Sequence, residues 1–277
     1  MTKLICSISD LEEVCRLVSL KGKNPQGKEY TAIPDFLVEV HENVETGKGL
    51  ITTKAVDNKG AIAVGLEYNV PKVEVPGLIP IGDVEKFQKY LSRFNSSDEV
   101  IVETTENKIL IVRPKPHKVA RIPMASVDSL SSNKNAETIL NNFQKTPEGY
   151  YKSSKTFLNL RLTLNADDVK NVIGDGEVVG QRIYPWKLAD GLTIKVGTEQ
   201  LGEIETQINL LKVESNSDQP TNTKTAFAYG IDNIFNNLSG EVTVYLANQV
   251  EVCPLILEQK TEKYSLKILL APVMVEQ

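Results

Sequence analysis

The sequence predicts an α+β protein built as two copies of one domain, and three observations lead there. Apolar residues recur mostly in short alternating runs of strand length, broken by a few amphipathic stretches with helical spacing. The order of these elements over residues 1–124 starts again near residue 157. Between the halves, residues 125–156 lose the pattern and are rich in Ser, Asn and Lys, with Pro147 and Gly149, as a linker is. The predicted organisation is a first domain over 1–124, a connecting linker over 125–156 and a second domain over 157–277.

Asp10 to Leu20 reads as a helix, with Leu11, Val14, Cys15 and Val18 on one face and Ser9 or Asp10 as cap. A loop rich in Lys, Gly and Pro follows from Lys21 to Lys28. Strand-like runs come next at Phe36–His41, Gly49–Val56, Ala61–Tyr68 and Lys72–Val75, and Asp57-Asn58-Lys59-Gly60 has the residues of a tight turn. Gly82–Phe94 is a second helix, spaced by Val84, Phe87, Tyr90, Leu91 and Phe94. Glu99–Glu103, Lys108–Arg113 and His117–Met124 close the first half as strands. A short helical turn is expected inside the linker around Ala136–Phe143.

In the second half Phe157–Leu164 is a strand, and Asn165 caps a helix running through Val169, Val172 and Ile173. Gly174–Leu188 reads as a glycine turn and an elongated loop holding Tyr184-Pro185-Trp186. Strands at Gly191–Val196, Glu203–Leu210 and Thr223–Tyr229 precede a short helix at Ile231–Leu238. Glu241–Leu246, Glu251–Gln259 and Tyr264–Ala271 are the last strands. The helix-to-strand joins of the halves lie side by side: Val84 to Leu91 then Glu99-Val100-Ile101-Val102, and Ile231 to Leu238 then Glu241-Val242-Thr243-Val244.

With 277 residues, 41% hydrophobic and 24% charged, the chain is globular and long enough for two domains. Its formal net charge of -5 weighs against a groove-reading DNA binder but leaves room for a basic surface confined to one side. Cys6, Cys15 and Cys253 have no paired spacing, which reads as free intracellular thiols. Met1 to Ile8 is too short an apolar stretch for a signal peptide or a membrane span, so an intracellular protein without membrane partners is expected, in cytoplasm, nucleoid or nucleus.

The C-terminal run Ser265-Leu266-Lys267-Ile268-Leu269-Leu270-Ala271-Pro272 resembles the last strand of the archaeal and eukaryotic sliding clamps, the proliferating-cell-nuclear-antigen family. Cys253-Pro254-Leu255, Asn165-Ala166-Asp167-Asp168-Val169-Lys170 and Val56-Asp57 are similar to further stretches of that family, in the same order along the chain. The sequence departs from the family in its longer linker, in the extra Gly174–Leu188 segment and in Leu269, where an aromatic is frequent. The resemblance implies a clamp fold of two duplicated domains, each of antiparallel sheets with two helices, three such subunits closing a ring. It also implies double-stranded DNA held without sequence preference, and DNA polymerase, a clamp loader and other proteins tethered by short peptides. No enzyme activity and no cofactor are implied.

Site residues follow from the same resemblance. Arg16, Lys21, Lys86, Lys89, Arg93 and Lys170 lie on or near helices expected to face DNA; Lys86, Lys89 and Arg93 are spaced three and four apart, as one helical stripe. Without the resemblance such a stripe reads as a solvated face. Val56, Cys253, Pro254, Leu269, Leu270, Ala271 and Pro272 are expected to line a partner-peptide groove, the bland alternative being plain core. The subunit interface is expected where His117–Met124 of one copy meets Gly202–Asn209 of the next, through Val119, Arg121, Ile122, Ile204, Thr206 and Ile208.

Catalytic and metal chemistry find little footing. His41 and His117 have no triad partners nearby in sequence, the cysteines no C-x-x-C spacing, and Gly174-Asp175-Gly176 to Gly180 lacks the spacing of a phosphate loop. Gln144-Lys-Thr-Pro147-Glu-Gly-Tyr150-Tyr151 has the outline of a clamp-binding peptide with Pro147 in the aliphatic slot, or else is a linker whose aromatics pack on their own domain. Two other functions remain open: a subunit of a hetero-oligomeric clamp, and an α+β hydrolase or transferase using Glu12-Glu13 or Asp167-Asp168. Those acid pairs sit in helix first turns, where the dipole favours them anyway.

Overall fold

The fold comes from a computed structural model, which describes residues 1–23, 29–43, 46–178, 183–198, 202–227, 230–248 and 252–273. Two compact units divide the chain. The first takes Met1–Leu20, Thr31–Glu137 and Lys260–Leu266; the second takes Lys21–Tyr30, Thr138–Gln259 and Lys267–Gln277. The domains expected at 1–124 and 157–277 are thus corrected in two ways. The linker is shared between the units, and each unit borrows a segment from the far end of the sequence.

In chain order come β1 (Lys3–Ser7), α1 (Ile8–Ser19), β2 (Lys21–Lys23), β3 (Glu29–Thr31), β4 (Phe36–Glu42), β5 (Gly49–Val56), β6 (Ile62–Val70), β7 (Lys72–Val75) and β8 (Gly77–Ile81). Helix α2 (Val84–Leu91), β9 (Glu99–Thr104), β10 (Lys108–Arg113) and β11 (Lys118–Pro123) follow. Through the linker run a 3-10 turn (Val127–Ser129), α3 (Ala136–Asn141), β12 (Gln144–Lys145) and β13 (Tyr151–Lys152). Then come β14 (Phe157–Leu158), β15 (Leu160–Asn165), α4 (Ala166–Val178), β16 (Tyr184–Leu188), β17 (Leu192–Thr198), β18 (Gly202–Ile208) and β19 (Leu210–Ser215). The last elements are β20 (Thr223–Phe227), α5 (Ile231–Asn236), β21 (Glu241–Leu246), β22 (Leu255–Lys260) and β23 (Tyr264–Leu270). Of the expected strand ends, Tyr229 and Glu251 lie outside the described residues, as does Gly180.

The duplication is written into the sheet orders. In the first unit the strands run β11-β10-β9-β1-β7 and β6-β5-β4-β8; in the second they run β23-β22-β21-β15-β19 and β18-β17-β16-β20. Strand for strand, the two orders correspond. In each unit two helices pack on one another, α1 with α2 and α4 with α5.

Several expectations are overturned, each for a local reason. Helix α4 does not stop at Ile173 but runs on through Gly174 and Gly176 to Val178. A Cβ at Gly176 would lie 2.6 Å from a ring carbon of Tyr184, so glycine lets the helix settle on β16. The supposed loop at Tyr184–Leu188 is itself an inner strand, paired on both sides by β17 and β20. Pro185 is tolerated there because the pairing with β17 begins only at Trp186. Trp186 is buried against Phe227 and Phe235, at 5.5 and 6.2 Å between ring centroids, and forms the aromatic core of the second unit. The predicted strand Glu203–Leu210 is two strands, β18 and β19, that belong to different sheets.

Candidate functional site

Asp83 caps α2 by accepting the Lys86 N–H at 2.8 Å, which fixes the rotation of the helix. Val84, Phe87 and Leu91 then face the core, and Lys86, Lys89 and Arg93 are left exposed as a basic stripe. Arg93 lies just past the helix end, and its carbonyl accepts from Lys118 of β11, whose ammonium also sits 4.9 Å from the Phe94 ring centre. Arg16 on α1 is half-buried and paired with Glu13 at 3.3 Å, so part of its charge is already answered.

Lys21, expected in a loop just past α1, opens a strand instead. The helix ends at Ser19, Leu20 takes a left-handed cap with φ 48, and Lys21 opens the β2–β3 hairpin of the second unit. That hairpin is seated on α5. The Asn237 side-chain amide donates to the Lys21 carbonyl at 2.8 Å, and the Tyr30 hydroxyl donates to Asn233 Oδ1 at 2.7 Å. Gly22 lies flat against Asn233, where a Cβ would come within 2.4 Å of its side chain. The polar residues of α5 are therefore mostly spent inside the unit: Asp232, Asn233 and Asn237 are buried. Lys21 and Lys170 of α4 line one concavity of about 710 Å3 with Asn171 and Asn236, and the acids Glu29 and Asp175 share its rim.

The two predicted interface strands are both sheet edges. Strand β11 ends the sheet of the first unit and β18 ends the four-stranded sheet of the second. Met124 N–H donates to the Asn107 carbonyl at 3.0 Å, which sets the phase of β11 against β10. Lys118, Ala120 and Ile122 thus turn their amides toward β10, and Val119 and Arg121 turn theirs outward, together with Pro123, which has none. Ile122 and Ile208 are buried, Val119 and Thr206 half-buried, and Arg121 and Ile204 exposed.

The peptide-groove residues divide. Val56, Cys253 and Leu270 are buried, at 5%, 0% and 0% exposure, and belong to the core; their assignment to an exposed groove is corrected, since no ligand reaches a covered side chain. Burial pushes the Cys253 thiol up from its ordinary value. Pro254, Leu269, Ala271 and Pro272 are half-exposed and remain available. Beyond them Val273 N–H donates to the Ala226 carbonyl at 3.0 Å, which sets Val273 beside β20; Met274 and Val275 lie outside the described residues. A concavity of about 400 Å3 opens there, lined by Ala226, Val252 and Val273 with Lys187, Lys195 and Lys224.

The linker aromatics are spent on packing. Tyr150 and Tyr151 are buried, and the Tyr151 ring meets that of Tyr245 edge-on at 5.0 Å. The Tyr151 and Tyr245 hydroxyls donate to Glu258, at 2.6 and 2.7 Å, and Lys145 Nζ closes on the same carboxylate at 2.8 Å. Burial alone would raise the Glu258 carboxyl, but these three donors hold it below its ordinary value. The outline of a clamp-binding peptide at Gln144–Tyr151 is thus an anchor of the linker on the second unit, the plainer of the two readings. His41 and His117 are both exposed, His41 at 3.5 Å from Glu39.

No family model matches the sequence, and no curated protein matches it. Solved structures do. The chain superposes on the crystal structure of proliferating cellular nuclear antigen from Entamoeba histolytica with a TM-score of 0.69 and 15% identity, covering 99% of each chain. The same antigen from Thermococcus kodakaraensis gives 0.67 and 17%, over 99% of this chain and 100% of that one. The DNA polymerase III β chain of Streptococcus pneumoniae gives 0.68 and 13%, with 99% of this chain matched to 65% of the longer bacterial one. Agreement end to end with the two antigens, and over about two thirds of the longer bacterial chain, leaves a single conclusion on architecture: this chain has the DNA sliding-clamp fold.

Proposed function

We propose that the chain is a DNA sliding clamp: three copies close a ring around duplex DNA and tether a polymerase and other enzymes through short peptides. The observation that carries this reading is the clamp fold over the whole chain, with β11 and β18, the strands that would join one copy to the next, both left as open edges. Unpaired edges of that kind invite pairing and are normally covered. The exposed stripe of Lys86, Lys89 and Arg93, with Arg16, Lys21 and Lys170, supplies phosphate contacts without base readout, which suits a ring that slides. Partner peptides would dock against Leu269, Ala271 and Pro272, near the concavity beside Val273. One clamp structure of this fold, from A. fulgidus, was solved with the C-terminal region of FEN-1 bound. The role is that of a scaffold and not of an enzyme.

Light scattering tests the assembly and topology tests the function. The expected mass is three times that of the 30.7 kDa chain. Once loaded, the protein should stay on nicked circular DNA and run off when the circle is linearised. A monomer at every concentration, or equal retention on circles and linear duplex, would sink the proposal.

A further inference from the structure

This inference rests on the ring reading and goes one step past it: we infer that each joint of the ring is closed by an ion pair between Arg121 of one copy and Glu205 of the next. Side chains alternate along a strand, so one buried residue fixes the faces of the whole strand. On β11, buried Ile122 shares its face with Ala120 and Lys118, leaving Val119, Arg121 and Pro123 on the other. On β18, buried Ile208 shares its face with Thr206 and Ile204, leaving Glu203, Glu205 and Gln207 on the other.

When two edge strands join into one sheet, side chains meet only those on the same face. Matching the core faces brings Ile122 toward Ile204, which at 43% exposure is one of the few large apolar side chains left open. The opposite faces then bring Arg121 toward the glutamates. Both groups are exposed, and among the described residues neither has an ion pair of its own. Lys195 stands opposite Glu205 in register but is held by Glu203 at 2.7 Å. Lys187, Lys195 and Lys224 line the concavity that Glu205 shares. Arg121 has no acid among its register partners on β10, where it faces Leu110 between Ile109 and Ile111.

The joint is head-to-tail, a basic edge meeting an acidic one, so like edges repel and only the closing orientation is favoured. An exposed pair contributes little to affinity, whereas two like charges held at the same spot cost considerably more. The test is therefore a charge swap, read as subunit mass against concentration at low and at high salt. Arg121→Glu and Glu205→Arg should each raise the dissociation constant of the ring at least ten-fold, roughly the effect of 1.4 kcal/mol. The double variant should recover most of that loss, and salt should weaken wild type and double variant alike. Circular dichroism and melting of the single variants should match wild type, since both positions are exposed.

Three results would overturn the pair. If wild type never assembles, the ring reading falls and the pair with it. If wild type is trimeric and both singles are equally so, the ring stands without this contact. If both singles dissociate and the double does not recover, the two residues act separately and do not face each other.

Discussion

The two units share one strand order, yet their second helices are used in opposite ways. Helix α2 of the first unit keeps its polar side open, with Lys86, Lys89 and Arg93 in solvent. Helix α5 of the second unit carries no basic residue, and its Asn233 and Asn237 are consumed by the β2–β3 hairpin lying on it. Topology, then, dictates where a helix lies, and the residues on its outer side decide whether that side stays free for a ligand or is taken up by the chain itself. A duplicated fold need not present duplicated surfaces.

The largest effect should come from unseating the hairpin. Gly22→Val pushes a branched side chain into Asn233, which is fully buried and held by Tyr30. The expected loss is about 3 kcal/mol, the upper end for overpacking, read by denaturant unfolding. A loss under about 0.5 kcal/mol would mean the hairpin is loosely held and α5 is as open as α2.

A smaller effect separates the first helices. Asp10, in the capping box of α1, is raised by burial but lowered more by its hydrogen bonds with Ser7, Lys263 and Tyr68, so its carboxyl sits below the usual value. Its folded value is lower than its unfolded one, so its contribution is complete above the unfolded value near about 3.9 and is lost as pH falls through the folded value. Stability measured from pH 6 downward should fall less steeply in Asp10→Asn than in wild type. Identical slopes would show that the cap does not depend on the charge. α4 relies on Asn165, whose side chain accepts the Asp167 N–H at 3.0 Å and does not titrate.

The smallest effect on stability should come from α2 itself. Replacing Lys86, Lys89 and Arg93 by Ala should shift unfolding by less than about 0.5 kcal/mol, because all three are exposed. Retention on circular DNA at moderate salt should nevertheless drop. Unchanged retention at every salt concentration would place the DNA contacts elsewhere.

How much of this was legible depended on how regular each segment is. Gly49–Val56, Lys72–Val75, Lys108–Arg113 and Glu241–Leu246 were readable to the residue, since each is bounded by turn residues and has a strand period. Strand β8 was not, because Gly77 and Pro80 punctuate an edge strand as they would a loop. Strand β19 was missed because Leu211 and Val213 lie exposed and no side shows the alternation of a buried face. The two glycines hid the end of α4, and only the presence of Tyr184 explains Gly176. The exposed stripe of Lys86, Lys89 and Arg93 was legible from its spacing, and the two strands singled out by resemblance are sheet edges. Burial among the proposed groove residues was not legible: an apolar residue reads the same in sequence whether it is covered, like Cys253, or half-open, like Pro272.

The interleaving of the units along the sequence bears on how the chain is made. Residues Lys260–Leu266 belong to the first unit, where Lys263 bonds Asp10 and Asn69, and Tyr264 stacks on Tyr68 at 6.1 Å. On the ribosome, that unit must therefore wait for a segment made long after the rest of it before its contacts to Asp10, Tyr68 and Asn69 can form. The hairpin at Lys21–Tyr30 waits likewise, for an α5 that emerges some two hundred residues later. Contacts of such long sequence separation slow folding and leave apolar edges uncovered in the meantime. A nascent chain halted before residue 260 should remain open to protease in both halves, and its release should protect both at once.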